Sequence, residues 1–363
     1  MRIGVLGGGQ LGRMLALAAI PLGHEVTFLE PSPEAAVAGL GRHLAAPFDD
    51  AAALADLAAR ADVVTYEFEN VPVNAARALA ARVPVHPTPE ALAVAQDRLV
   101  EKRFLRELGI ATAPFIGVED RAELARAADQ LGLPIVVKTR RSGYDGKGQV
   151  VVRRWDDLEA AWKAVAPGPC IAEALVPFAR ELSIVAVRGR DGAVACWPLA
   201  ENVHRGGILY RSRAPAPRCE VALQHAAERH ARAVMERLDY VGVLAIELFE
   251  LDGALLANEM APRVHNSAHW TIEGAETSQF ENHVRAITGA PLGDPSALGA
   301  AAMLNLIGTL PPADTILAVP GAHLHLYGKR PRPGRKVGHV TLRAPDASML
   351  EPRLARLEAL LAS

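Results

Sequence analysis

The stretch from Ile135 to Val152 limits the possible folds of this chain more than any other. Ile135-Val136-Val137 is a β-branched apolar run that reads as a strand and ends in Lys138. The segment Arg141-Ser142-Gly143-Tyr144-Asp145-Gly146-Lys147-Gly148-Gln149 follows, and Val150–Val152 resumes a strand, which makes a hairpin with a glycine-rich connection. Gly143, Gly146 and Gly148 leave backbone amides free to wrap an anion, and Lys147 adds a positive charge. It is not a Walker A loop, because the G-x-x-x-x-G-K-[ST] spacing fails and Gln149 replaces the serine or threonine. An ordinary flexible hairpin is the plain alternative. Lys138 argues against it, since an ammonium ending an apolar strand is costly to bury without an anionic partner. Strand lysine and loop together read as a phosphate clamp. The lysine count points the same way: the chain carries only Lys102, Lys138, Lys147, Lys163, Lys329 and Lys336, and arginine supplies the remaining positive charge. Arginine cannot replace a compact ammonium at a phosphate without changing the geometry.

The chain opens with the strand Ile3–Leu6, the turn Gly7-Gly8-Gly9 and a helix from Gln10 to about Leu22. Further strands at Glu25–Leu29 and Asp62–Tyr66, alternating with alanine-rich helices, predict a small parallel sheet covered by helices. That unit closes near Pro87-Thr88-Pro89, and a helix is expected from Leu92 to Leu108, stopped at Gly109. Beyond the glycine hairpin, a helix at Trp155–Val165 and a strand at Cys170–Glu173 complete a compact unit. From Glu181 to Leu256 the apolar runs are mostly strands, with one helix around Val221–Leu238. Strand and helix signals mix after about Ala300. No internal repeat or low-complexity segment is visible.

Gly7-Gly8-Gly9-Gln10-Leu11-Gly12 fits G-x-G-x-x-G between a strand and a helix, with Glu30 near the spacing of a ribose-binding acid. By itself it suggests a dinucleotide enzyme. The pattern is weak, because any strand-turn-helix can use glycines for packing alone.

Two carboxylates stand out on candidate neighbouring strands. Glu247 lies in Leu244–Phe249, Glu259 closes Leu255–Glu259, and Asp252-Gly253 suggests the turn of a hairpin. Acids in apolar strands need a cation, and paired carboxylates beside the Asn258 amide suit a Mg²⁺ ion that also binds ATP phosphates. A buried salt bridge to Arg263 is the alternative.

Composition sets broad bounds. The 363 residues are too many for one small core and suit two or three domains. Half the chain is apolar and the formal net charge is −2, so no global field argues for nucleic acid or an anionic membrane. Cys170, Cys196 and Cys219 lack metal-ligand spacing and cannot all pair, which fits a reducing cytoplasm. The opening residues are too glycine-rich for a signal peptide, and no apolar run is long enough for a bilayer.

These elements occur in the order of the ATP-grasp superfamily, and longer motifs narrow the likeness. Tyr66-Glu67-Phe68-Glu69-Asn70-Val71-Pro72, Gly143–Gln149, Asn258-Glu259-Met260-Ala261-Pro262-Arg263-Val264-His265-Asn266-Ser267 and Arg332–His339 resemble signatures of the N5-carboxyaminoimidazole ribonucleotide synthetase family. The opening Gly9–Met14 joins them, so the resemblance covers nearly the whole chain. It implies mixed α/β and α+β architecture: an N-terminal Rossmann-like (pre-ATP-grasp) domain at 1–90, an ATP-grasp domain at 91–298 with a lid at about 112–177, and a small C-terminal domain at 299–363. Lys147 stands where some members carry arginine.

The resemblance also implies roles. Arg98, Lys138 and the loop Gly143, Tyr144, Asp145, Gly146, Lys147, Gly148 and Gln149 would hold the ATP phosphates. Glu173 and the backbone of Ala174, Leu175 and Val176 would recognise adenine, Glu181 the ribose hydroxyls, and His204 falls in the family's nucleotide-site segment. Glu247 and Glu259 would bind Mg²⁺ with Asn258 beside them. Contacts to the ribonucleotide would come from Gln10, Leu11, Glu69, Tyr144, Asp145, Arg263, His265, Asn266, Ser267, Lys329 and Arg335, with Asp145, Lys147 and Arg263 nearest the chemistry. The glycine turn at Gly7–Gly12 would then approach this ribonucleotide rather than a dinucleotide.

The implied reaction joins ATP, bicarbonate and 5-aminoimidazole ribonucleotide through carboxyphosphate, in purine biosynthesis, by a cytoplasmic homodimer. Another ATP-grasp enzyme, such as a formate-dependent glycinamide ribonucleotide transformylase or a biotin carboxylase, is the nearest rival. A nicotinamide-dependent dehydrogenase would explain Gly7–Gly12 and Glu30 but leaves Lys138, the second loop and the acids without a purpose. A non-catalytic nucleotide sensor would keep the clamp but usually lose an acid.

Overall fold

The computed structural model describes residues 1–143, 146–165 and 168–362. Its strands form three sheets. The first is parallel, with β1 (Arg2–Leu6), β2 (Glu25–Leu29), β3 (Arg42–Leu44) and β4 (Val63–Tyr66) in the order β3-β2-β1-β4. Helices α1 (Gln10–Ala19) and α2 (Ala51–Arg60) cross over between β1 and β2 and between β3 and β4, and α3 (Val73–Ala80) follows β4. The wholly buried Val63–Tyr66 has the continuous apolar character of a strand covered on both faces.

The expected single helix over Leu92–Leu108 is two helices, α4 (Pro89–Ala95) and α5 (Arg98–Glu107). Asp97 makes the break: its Oδ1 accepts the amides of Leu99 and Val100 and so caps α5. Gln96 is turned away at the same point, its Nε2 donating to the carbonyls of Glu69 and Val71. Leu92, just past the expected boundary at 90, is fully buried in the N-terminal core with Leu6, Tyr66 and Leu79.

The unit expected to serve as a lid, called the lid below, is an antiparallel sheet of β5 (Phe115–Val118), β6 (Ile135–Thr139), β7 (Gln149–Val152) and β8 (Cys170–Ala174), ordered β5-β8-β6-β7. Helices α6 (Arg121–Leu131) and α7 (Leu158–Val165) cover one face around Ile135, Val137, Ala127 and Ala161. Alternation along β6 therefore sends Val136 and Lys138 to the other face, toward the body.

The body and the C-terminal segment share one nine-stranded sheet. Strands β9 (Arg180–Arg188), β10 (Val194–Cys196), β11 (Ala200–Arg205), β12 (Ile208–Ala214), β13 (Gly242–Leu251) and β14 (Ala254–Ala261) belong to the body; β15 (Ala300–Ile307), β16 (Ala322–Leu326) and β17 (Lys336–Ala344) follow. Helix α8 (Val221–Arg237) packs on β9, β13 and β14. Because β15 pairs with β12, residues from 300 onward extend the body sheet. They still own a separate core, built from Leu304, Val340, Leu342, Leu350 and Leu357. No helix among the described residues is long and apolar enough to cross a membrane.

Candidate active site

A cavity of about 750 Å³ opens where the N-terminal sheet, the lid and the body meet. The N-terminus of α1, residues Glu67–Asn70, the first turn of α5, lid strands β6 and β7, and body strands β11, β13 and β14 all contribute to its walls.

The hairpin read from Asp252-Gly253 is formed, and it sets Glu247 of β13 directly opposite Glu259 of β14. Both line the cavity together with Asn258. Glu259 accepts from Arg98 Nη1 at 2.5 Å, while Glu247 has His265 Nε2 at 3.4 Å. Their charges separate accordingly. Burial and the neighbouring Glu259 push Glu247 up to about 7. Burial also opposes the charge on Glu259, but Arg98 and then Lys138 bring it down to about 2. Arg263 does not bridge these acids; it pairs with Glu69 and bonds the Val264 carbonyl. Two opposed carboxylates and an amide oxygen are hard donors that fit Mg²⁺. Among the described residues no group of three or more His, Cys, Asp or Glu could hold a metal, so an ion here would share its coordination with phosphates or water.

Lys138 is 7 % exposed, and its Nζ lies 3.0 Å from Glu173 Oε2 and 3.4 Å from Asn258 Oδ1. Glu173 is not in the cavity wall. Its carboxylate is buried between Lys138 and Lys102, and the amides of Ala174 and Leu175 donate to the carbonyls of Pro114 and Pro134. Of the adenine contacts expected from Glu173 and the backbone of Ala174, Leu175 and Val176, the Glu173 carboxylate and the amides of Ala174 and Leu175 are engaged elsewhere. Leu175 does line the cavity, beside Val136, Val151, Phe178 and Phe249. The rings of Phe178 and Phe249 stack at 4.6 Å, and Val136 faces Val151 across β6 and β7. This apolar wall suits a flat base. Glu181 pairs with His204 at 2.7 Å on the same side. Burial works against a charged imidazole there, yet the contact with Glu181 raises the His204 pKa overall.

The glycine loop reaches the body. Gly146, with φ of 74°, sits so close to the turn between β11 and β12 that a Cβ would lie 2.8 Å from the Gly207 Cα. Gly143, Gly146, Lys147 and Gln149 line the cavity; Gly148 packs on Thr139 instead. The expected roles of Tyr144 and Asp145 lie outside the described residues.

The first glycine turn holds an anion already. Glu67 accepts the Gly9 amide at 2.6 Å and the Gly12 amide at 2.8 Å, so a protein carboxylate fills the nest at the start of α1. A Cβ at Gly7 or Gly9 would lie 2.4 or 2.5 Å from Glu67 atoms, and these glycines serve the approach of that side chain. Glu30 is likewise committed, to the amides of Gly8 and Ser32. The dinucleotide reading fails here, because its phosphate position and its ribose acid are both taken.

Gln10 and Leu11 emerge from this turn into the cavity, and Lys329 donates to Gln10 Oε1. Arg263, His265, Asn266, Glu69 and Lys336 complete this end. Gln279 grips the His265 backbone in both directions, and Asn266 and Asn305 exchange amide hydrogen bonds. Ser267 is buried and supports the site from behind, bonded to Ser183 and His265. Burial, then Arg263, draws His265 down to about 3, which keeps the ring neutral. Arg335 is not in the cavity wall and bonds the Arg330 carbonyl.

Glu101, which the sequence did not single out, also lines the cavity. Its Oε1 accepts the Met260 amide at 2.5 Å, and burial with the nearby Glu259 pushes it up to about 8. Its signal was an acid one helical turn after Arg98, on the same face of α5.

The ribonucleotide synthetase preATP-grasp domain family matches residues 1–96, the ATP-grasp domain family 103–280, and the phosphoribosylaminoimidazole carboxylase C-terminal domain family 301–353. The N5-carboxyaminoimidazole ribonucleotide synthase of Pseudomonas aeruginosa is 52 % identical over 361 residues, 99 % of each chain. The N5-carboxyaminoimidazole ribonucleotide synthetase of Thermus thermophilus superimposes with a TM-score of 0.96 at 55 % identity, covering 99 % of both chains. The Aspergillus clavatus enzyme, solved with ADP and 5-aminoimidazole ribonucleotide, superimposes with a TM-score of 0.93 at 34 % identity over 99 % of this chain and 98 % of that one. Agreement over all three units, at such identity, establishes that the chain belongs to the N5-carboxyaminoimidazole ribonucleotide synthase family of ATP-grasp ligases.

Proposed function

We propose that this ATP-dependent ligase carboxylates 5-aminoimidazole ribonucleotide with ATP, Mg²⁺ and bicarbonate, giving N5-carboxyaminoimidazole ribonucleotide, ADP and phosphate. The observation that carries the reading is continuity. One cavity joins the clamp of Arg98, Lys138, Gly143, Gly146, Lys147 and Gln149 and the facing acids Glu247 and Glu259 to Gln10, Arg263, His265 and Asn266. A nucleotide at one end and a ribonucleotide at the other would meet at the acids.

Bicarbonate is a poor electrophile because its leaving group is hydroxide; phosphorylated to carboxyphosphate, it loses phosphate instead. Lys138 and Arg98 would hold the transferring phosphoryl group and offset its spreading charge. When bound, Mg²⁺ on Glu247, Glu259 and Asn258 would supply further charge neutralisation. The apolar wall of Val136, Val151, Leu175 and Phe249 would take the base, and Glu181 the ribose hydroxyls. Arg263 and Lys329 would hold the ribonucleotide, with Asp145 orienting its exocyclic amine or accepting the proton. Lid contact at Gly146–Gly207 would keep water from an intermediate that hydrolyses easily. A homodimer working in the cytoplasm completes the reading, on family grounds.

ADP release with ATP and Mg²⁺ tests it. Strong stimulation by 5-aminoimidazole ribonucleotide with bicarbonate, and an unstable carboxylated product, supports the reading. Stimulation only by formate with glycinamide ribonucleotide would move the chain to another acyl transfer.

A further inference from the structure

Lys102 takes no part in the roles above, yet it is a lysine with 1 % exposure. Such a side chain is retained in an interior only where its charge is matched. Its Nζ lies 3.3 Å from Glu173 Oε2, the same oxygen that Lys138 Nζ approaches at 3.0 Å. Lys102 also donates to the Ala257 carbonyl at 3.3 Å. Three parts of the molecule meet at this point: Lys102 on α5, Glu173 on the central lid strand β8, and Ala257 on β14, two residues before Glu259.

The charges explain the arrangement. Two ammonium groups share one carboxylate oxygen, so Glu173 does not depend on Lys138 alone. If Lys138 turns to a triphosphate, Lys102 stays behind and keeps the buried carboxylate paired. Without Lys102 the same movement would leave the buried anion without a paired ammonium, helped only by the field of Arg98, and Lys138 would be held on Glu173 in competition with the nucleotide. Lys102 is absent from the cavity wall, so it would act only through Glu173 and Lys138.

We propose that Lys102 is a positioning residue for ATP: by sharing Glu173, it leaves Lys138 able to exchange its carboxylate partner for the nucleotide phosphates. This rests on the assignment of Lys138 to the ATP phosphates.

The test is calorimetric binding of ATP with Mg²⁺ to the full chain, alongside the KM for ATP and for 5-aminoimidazole ribonucleotide, in Lys102→Met, Glu173→Gln, the double variant and Lys138→Met. The expected result is that Lys102→Met weakens ATP about ten-fold or more, with the ribonucleotide KM moving less than about two-fold. Adding Glu173→Gln to Lys102→Met should tighten ATP again by about five-fold, because it removes the stranded anion. A merely structural lysine predicts the opposite: the double variant would be weaker than either single, and both KM values would rise together. Lys102→Gln, run in parallel, keeps a neutral donor and should show the same order if Lys102→Met does not accumulate folded. Unchanged ATP affinity in Lys102→Met or Lys102→Gln, with affinity lost in Lys138→Met, would overturn this proposal alone. Unchanged affinity in Lys138→Met would overturn the phosphate assignment along with it.

Discussion

Glu247 and Glu259 face each other across a two-strand register, and the protein treats them differently. Arg98 draws Glu259 well down toward the charged form against its burial, while burial and the neighbouring Glu259 raise Glu247. The two acids are thus pushed in opposite directions, Glu259 toward the charged form and Glu247 toward the neutral one. A divalent cation held by both, as proposed above, would favour the charged form of each.

Neutralising either acid should therefore weaken the cation more than the nucleotide. Glu247→Gln and Glu259→Gln are expected to lower kcat by about a hundred-fold or more. Glu247→Gln should also raise the Mg²⁺ concentration for half-maximal rate. Titrating Mg²⁺ at saturating ATP checks this; a wild-type rate and Mg²⁺ midpoint in either variant would remove these acids from the metal.

Lid contact at the glycine loop gives another outcome. In Gly146→Ala, a Cβ 2.8 Å from Gly207 Cα and a left-handed backbone together oppose closure. A cost of about 1–2 kcal/mol corresponds to roughly a ten-fold higher KM for ATP. Steady-state kinetics with ATP varied would show it, and an unchanged KM would mean that this contact is absent during turnover.

Glu67 should prove a stabilising anion rather than a spare acid. Its carboxylate meets two amides of the α1 turn, so Glu67→Ala is expected to destabilise by about 2–3 kcal/mol and to loosen Gln10 and Leu11. The ribonucleotide KM should rise more than the ATP KM. Urea unfolding together with the two KM values decides it, and added NAD should show no saturable binding to wild type.

Acid should weaken the fold through buried neutral histidines. His283 is fully buried, accepts the Val243 amide through Nδ1 and contacts Thr65 Oγ1 through Nε2; burial, then His86, draws it down to about 3. Its folded pKa lies below the unfolded value of about 6.5, so the unfolded chain binds the extra proton. The contribution is complete above about pH 6.5 and is lost as pH falls from there toward 3, by roughly 2 kcal/mol at pH 5. Urea midpoints measured from pH 7 to 5 should fall, and His283→Gln should flatten the slope over that window.

Much of the candidate site's wall could be read without coordinates, because it is written in local pattern. A lysine ending Ile135–Val137, glycines at 143, 146 and 148, and acids flanking the turn at Asp252-Gly253 each require only a strand and its neighbour in sequence. Strand alternation then fixed which face Lys138 and Val136 share. Long motifs supplied the family.

What the coordinates added depends on residues far apart in the chain. Nothing in Gly7–Gly12 announces that Glu67 fills it, since the turn and the carboxylate are brought together only by the parallel pairing of β1 and β4. Glu173 likewise reads as a nucleotide contact until Lys102 and Lys138 are seen sharing one of its oxygens. The helix expected over Leu92–Leu108 broke at Asp97 because that side chain, besides capping α5, takes Arg140 from the end of β6. Pattern decided where strands, turns and charged side chains would fall; the partner of each buried charge was decided by desolvation, which acts through distances that only the folded chain sets.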